Sequence, residues 1–370
     1  MSAPGDPSGA VSHPSAPPPR TDAARGTDAD PPSAPQMHVR SYRPGDEHAL
    51  VAMFSSIFRE RSLEEWTWLF RNGPHGPADI HILESGGATI GSVSHIPADV
   101  WVRGEKLRLA IGCDVMVLRE FRGQGGAEML FRHYVASEHG VDMNFGTVNA
   151  GSSHVTRRQM GTSTMGGAPL WVRSRTGGRS ANAIVHALES AAERLYGTVV
   201  SWPRPSLEVT DLGELGAEVD ELADASAAFA PCIRVRDSGY LRWLWLENPM
   251  ARWRLRAVRG PDGALRGISV IGVKDQDGRP VGYIMELLAR DAGALRALVL
   301  DGWARLGEEG CERVVCVYQD PRPWARRAMV RSGFRSVRGP QIACGPLSPR
   351  AGELVGRLES WYLTGGDADV

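Results

Sequence analysis

Lysine is nearly missing from this sequence: Lys106 and Lys274 are the only two, and arginine supplies every other fixed cation. The 42 basic residues meet 43 acidic ones for a net charge of -1, so no global field draws in a nucleic acid or an anionic membrane, and an anionic ligand has to be met locally. Paired cysteine motifs are missing too. Cys113, Cys232, Cys311, Cys316 and Cys344 are odd in number and form no CxxC, which argues against a disulfide framework and against a bound metal. A reducing cytoplasm fits that usage, and the arginine bias reads as bacterial coding preference. No stretch reaches the ~18 consecutive apolar residues of a membrane span. Residues 1–37, dense in Pro, Ala, Ser, Gly and Asp, hold no apolar run at all and are expected to be a disordered tail rather than a signal peptide or anchor.

What is present points to two domains. The chain has 370 residues, 42% of them hydrophobic, with 11 tryptophans, more than one domain of ~100–200 residues usually holds. From His38 the pattern reads strand HVRSYRP, helix DEHALVAMFSSIF, strands IHILES, TIGSVSHIPADVWV and LRLAIGCDVMVL, a glycine loop with its helix, strand VDMNFGTVNA and helix SSHVTRRQMG. That alternation predicts an α/β (α+β) fold, a mixed twisted sheet flanked by helices. The second half repeats it: EEWTWLFRNGP is echoed by YLRWLWLENP, with Trp68 and Trp243, and Pro74 and Pro249, each 175 positions apart. The expected units are 38–179, a segment 180–231 carrying the linking helix ANAIVHALESAAERLYG and the start of the second domain, and 232–370.

The stretch FRGQGGAEML, Phe121–Leu130, joins a strand to a helix. The first amides of a helix have no internal partner and lie at the positive end of its dipole, so an anion placed there meets several donors. Gly123 and Gly125 can take positive φ and turn those amides into one concavity, Arg122 adds a fork suited to phosphate, and Gly126 and Ala127 leave room for a diphosphate. The spacing excludes the P-loop, since no lysine follows, and the dinucleotide fingerprint, since Glu128 stands where its third glycine belongs. In the second half the corresponding junction reads LLARDAGALRAL, with Gly293 alone and Asp291 at the helix start, where a carboxylate occupies the amides. That half is expected to be degenerate.

Arg122-Gly123-Gln124-Gly125-Gly126-Ala127 resembles the Arg/Gln-x-x-Gly-x-Gly/Ala signature of the GNAT acyltransferases, the general-control-related N-acetyltransferases. VMVLREF is similar to that family's approach to the loop, with Leu118 and Phe121 in place of a proline and a tyrosine. Val148-Asn149-Ala150-Gly151-Ser152 is similar to its Pro-Asn-x-x-Ser. The resemblance spans roughly Val39 to Arg173, and the second half shares only the element order. It implies two GNAT-like domains, the first holding acetyl-CoA or another acyl-CoA. Amides from Arg122 through Gln124 to Ala127 hold its pyrophosphate, the backbone of Val115, Met116 and Val117 pairs with the pantetheine arm, and Asn149 and Ser152 stand near the thioester.

Acyl transfer to an amine needs a base for the nucleophile, donors for the developing oxyanion and a proton for the thiolate. Asp114 and His95 are the candidate bases. The tyrosine that often supplies the proton in this family is not matched: four residues before Gly161 stands Arg157, and no tyrosine occurs between Phe145 and Gly161. Cys113 reads as a small buried apolar residue, so direct transfer is expected. The tail WYLTGGDADV, with Trp361, Asp367 and Asp369, is open between fraying and a place in the active site, as in tandem members of the enhanced-intracellular-survival type. The expected activity is acyl-CoA-dependent N-acylation of a small-molecule amine. A non-catalytic acyl-CoA sensor or scaffold and an aminoacyl-transfer-RNA-dependent transferase stand as alternatives, and self-association as a homodimer is left open.

Overall fold

The computed structural model describes residues 36–137, 140–148, 150–175 and 205–368, with a few isolated positions between 187 and 199. The expected tail before Gln36 and nearly all of the expected linking helix lie outside them. In the first half the elements are β1 (Met37–Ser41), α1 (Glu47–Ile57), α2 (Leu63–Arg71), β2 (Asp79–Ser85), β3 (Ala88–Val102), β4 (Glu105–Val117), α3 (Gly126–Ala136), β5 (Met143–Thr147), α4 (Ala150–Met160) and β6 (Ser163–Ser174). In the second they are β7 (Val209–Asp211), α5 (Ala217–Ala225), β8 (Cys232–Arg234), α6 (Ser238–Leu241) running into a π-turn at Arg242–Leu246, β9 (Arg254–Arg259), β10 (Leu265–Gln276) and β11 (Arg279–Ala289). Then follow α7 (Ala292–Glu308), β12 (Arg313–Gln319), α8 (Ala325–Val330), β13 (Arg335–Pro346), β14 (Trp361–Thr364) and α9 (Gly365–Ala368).

Twelve strands run in the order β1-β2-β3-β4-β5-β13-β6-β12-β11-β10-β9-β7. Matching each strand to its counterpart in the other half makes this order a palindrome, centred on the antiparallel pair β13 and β6. The sixth strand of each half has therefore crossed to the fifth strand of the other: Ile342 to Pro346 of β13 pair with β5, and Leu170 to Ser174 of β6 pair with β12. Such exchange makes one continuous sheet out of two repeats and buries what would otherwise be open edges at the seam.

Local chemistry explains the repeat that the sequence shows. Ser62 caps α2 by accepting from the Glu65 N–H, and Asp237 caps α6 by accepting from the Tyr240 N–H, each satisfying a donor of a first helical turn. Behind these caps Trp68 is 5% exposed and Trp243 3%, facing each other across the seam. The tail is folded onto the sheet from Trp361 to Ala368. β14 pairs with β12 on one side and β8 on the other, and Trp361 and Tyr362 are buried.

Candidate active site

Strands β4 and β5 run parallel only from Leu109 and Met143 to Ile111 and Phe145. Beyond that point the β5-facing edge of β4 has no strand partner among the described residues. A Cβ on Gly146 would stand 3.0 Å from the Gly112 carbonyl oxygen, so the last close approach of the two strands is tight for any side chain. The wedge beyond it holds a narrow cavity of about 50 Å³, bordered by Val115, Phe131, Gly146, Val148, Thr156 and Met160.

A bulge redirects β4 at this point. Cys113 pairs with Ser94 but Met116 with Ser92, so one extra residue is accommodated in β4, and Asp114 takes φ +47°. A non-glycine residue in this left-handed region is uncommon and re-aims its side chain. Val115 and Val117 pack toward the α3 side, whereas Met116 is buried in the opposite core.

Asp114 reaches Arg61, whose Nη1 bonds its Oδ2 closely while Nη2 lies 3.5 Å from Oδ1. The same guanidinium gives its Nε–H to Glu65 Oε1 at 3.2 Å and lies 3.3 Å over the Phe54 ring. Burial pushes the Asp114 carboxyl above the usual range, and the Arg61 charge only partly pulls it back. Burial and the Asp114 charge raise the Cys113 thiol as well, which keeps it protonated and inert. His95 is 2% exposed and stacks on Tyr134 with ring centroids 3.5 Å apart, while the Tyr134 hydroxyl donates to Asn144 Oδ1 at 3.0 Å. His95 also borders the wedge cavity beside Gly112.

The glycine loop has the geometry that an anion requires. Gly123 and Gly125 have φ +79° and +84°. The Met129 N–H bonds the Gly125 carbonyl at 3.0 Å, which leaves the amides of Gly126, Ala127 and Glu128 ahead of that bond. A Cβ on Gly126 would come within 2.6 Å of Leu83 Cδ2, so a larger residue here makes that side chain turn aside. Arg122 stays exposed, its Nε–H fixed on the Val117 carbonyl at 2.9 Å, and the Gln124 side chain caps the Glu120 carbonyl. Among the candidate residues, Asn149 lies outside the described residues. Ser152 belongs to α4, and its side chain is likewise not described.

Sequence reasoning passed over Arg61. It was legible in the repeat, since Arg59-x-Arg61 and Arg234-x-Arg236 are 175 positions apart, like the tryptophans. In the second half Arg236 gives its Nε–H to Glu286 Oε2 at 2.9 Å, and β11 is bulged between Glu286 and Ile284 just as β4 is at Asp114. The second copy is sealed. Arg236 and Glu286 are fully buried, Asp367 closes on the Arg236 Nη2, and the Tyr240 hydroxyl closes on Glu286. Asp367 of the tail therefore sits on the second-half pair, and Asp369 and Val370 lie outside the described residues. At the second glycine-poor junction, Asp291 accepts from the Ala294 N–H at 3.0 Å and from Arg266 at 2.6 Å.

Among the described residues no group of His, Cys, Asp and Glu is placed to hold a metal, and no helix is long and apolar enough to cross a membrane. The fold is shared with solved structures. A probable N-acyltransferase from Enterococcus faecalis V583 aligns at a TM-score of 0.61 and 12% identity over 85% of this chain and 74% of its own. A GCN5-related N-acetyltransferase from Anabaena variabilis aligns at 0.59 and 12%, over 85% and 73%. N-myristoyltransferase of Saccharomyces cerevisiae, solved with myristoyl-CoA, aligns at 0.54 and 10%, over 83% and 79%. No curated protein matches the sequence. Residues 38–159 match the family model of the GNAT acetyltransferase domain, the segment that contains the bulged strand, the wedge and the glycine loop. That segment carries a GNAT acetyltransferase domain, and through it the chain is an acyltransferase.

Proposed function

We propose that the chain transfers the acyl group of acetyl-CoA to the amine of a small molecule, with residues 38–179 as the acyl-CoA-binding half and 232–370 as a degenerate half. The observation that carries this reading is the parting of β4 and β5 after Ile111 and Phe145, on the strand that leads into the loop of left-handed glycines. The residues present fit such a ligand: amides of Gly126 to Glu128 with Arg122 for the diphosphate, and the open edge of β4 at Val115 to Val117 for the pantetheine amides. The narrowness of the wedge favours a short acyl group.

In this reading the amine nitrogen forms a bond to the thioester carbon and the carbon–sulfur bond breaks, its electrons leaving with the thiolate. Asp114 takes the proton from the amine, helped by a raised affinity for protons in its buried position, and solvent protonates the thiolate. The Arg61 pair fixes the Asp114 rotamer. That pair also favours the second reading, a non-catalytic acyl-CoA-binding scaffold, because it engages the candidate base.

Two measurements decide. Calorimetry with acetyl-CoA should show binding to the native chain and a loss of at least tenfold in Arg122→Glu, about 1.4 kcal/mol; unchanged binding removes the cofactor assignment. Thiol release across an amine panel then separates an enzyme from a scaffold, which binds acetyl-CoA and releases none.

A further inference from the structure

On the α1 and α2 side of the sheet the two halves enclose a cavity of about 350 Å³, walled by Arg61, Glu65 and Leu69 from the first half and by Trp245, Trp253 and Met285 from the second. It adjoins an open groove of about 840 Å³, with which it shares Trp245, Asn248, Met250, Ala251 and Trp253. Arg61 ties the inner cavity to the bulge, since it holds Asp114.

Three independent features describe what would fit there. The first is charge. In a chain with net charge -1, Arg59, Arg61, Lys274, Arg252 and Arg254 border these cavities against only Glu65 and Glu309. One of the two lysines of the whole sequence thus lies here, its ammonium 5.5 Å from the Trp253 ring. The second is a pair of unsatisfied donors: Trp245 and Trp253 are 2% and 8% exposed, and neither indole N–H has an acceptor among the described residues. Buried donors left without a partner are costly and rare. The third is an apolar body, made by Leu69, Leu244, Met285 and the two indole rings, with the polarizable methionines able to fit irregular shapes.

We propose that this cavity is the acceptor site and that the acceptor is an apolar amino acid. Its carboxylate faces Lys274 and the two indole N–H groups, its side chain lies against Leu69, Leu244 and Met285, and its amine faces Glu65 and the Arg61–Asp114 pair. The assignment rests on the acyltransferase reading for its role but not for its chemistry, because a cavity with cationic and N–H donors selects a carboxylate whether or not transfer follows.

The test uses the full chain with L-phenylalanine, phenethylamine, which lacks the carboxylate, and glucosamine. Binding is followed by calorimetry, and acetyl transfer by thiol release. L-Phenylalanine should bind at least tenfold more tightly than either other amine, and Lys274→Met and Trp253→Phe should each weaken it about tenfold without moving the acetyl-CoA affinity. Trp253→Phe keeps an aromatic ring at the site but removes the indole N–H. Preference for phenethylamine or glucosamine, or variants that bind L-phenylalanine as the native chain does, overturns the proposal. Binding of L-phenylalanine without thiol release upholds the cavity and sinks the acyltransferase function, whereas thiol release with phenethylamine alone does the reverse.

Discussion

Trp68 and Trp243 each donate the indole N–H to the other's backbone carbonyl, at 2.8 and 2.9 Å, with their ring centroids 5.8 Å apart. The contact is reciprocal, residue for residue, as in an isologous interface, although both partners belong to one chain. Replacing either tryptophan with Phe strands a buried carbonyl of the other repeat, at a cost of about 1–3 kcal/mol. Because the two bonds are equivalent, Trp68→Phe and Trp243→Phe should lower the urea midpoint of the full chain by similar amounts. A large loss in one variant and none in the other would show that the seam is not symmetric in energy.

The strand exchange makes the halves interdependent. In a fragment spanning 37–175, β6 has neither neighbour, because β12 and β13 both come from the second half, and β5 keeps only its short pairing with β4. An unpaired strand and open edges favour aggregation over folding. The fragment should therefore lack a cooperative melting transition when made alone and gain one when made together with 205–370. Cooperative melting of the lone fragment would mean that the repeats fold separately.

Asp114 gives a pH prediction with a definite sign. Its native pKa is raised, with burial as the leading cause, so the basic form accumulates only as pH climbs above the ordinary aspartate value of about 4. The rate kcat/KM should rise with pH through that higher value, and Asp114→Asn should lose this limb together with about 10²–10⁴ of rate. Stability runs the other way. The contribution of a raised carboxyl is fully present below the unfolded pKa and is lost as pH rises through the folded one. Native stability relative to Asp114→Asn should therefore fall from about pH 4 upward, measured as urea midpoints across pH. A rate profile that Asp114→Asn leaves unchanged rules Asp114 out as the base.

Much of this was legible in the residues themselves. The glycine loop could be read because a left-handed backbone at Gly123 and Gly125 leaves a signature of one residue type at fixed spacing. The repeat could be read because Trp68 and Trp243 face one another, and large aromatic residues at such a contact tolerate little change. The crossing of β6 and β13 could not, since strand pairing partners are set by the sheet and not by the alternation within a strand. The repeat marks Arg61, but its partner Asp114 lies 53 positions away and no local pattern marks their pairing. His95 was legible for another reason: a histidine in an apolar strand announces itself in sequence, and here it stacks on Tyr134 beside the wedge cavity.

The two repeats also make a prediction about stoichiometry. In the first, amides at the start of α3 lie ahead of the Met129 bond to Gly125. In the second, the Asp291 carboxylate takes the Ala294 N–H and is itself paired with Arg266, so a phosphate there would face like charge and fewer open donors. The second wedge is also filled. A Cβ on Gly366 of α9 would overlap Glu286 and the Tyr240 hydroxyl, and one on Gly365 would lie 3.0 Å from the Met285 carbonyl oxygen. Acetyl-CoA should therefore bind once per chain in calorimetry. Gly366→Ala should destabilise the chain by about 1–3 kcal/mol through overpacking while leaving that stoichiometry at one. Asp291→Ala should cost about 1 kcal/mol as a lost cap and likewise open no second site, because the tail still occupies the cleft. Two equivalents bound to the native chain would mean that the second repeat has kept the ligand its sequence suggests it lost.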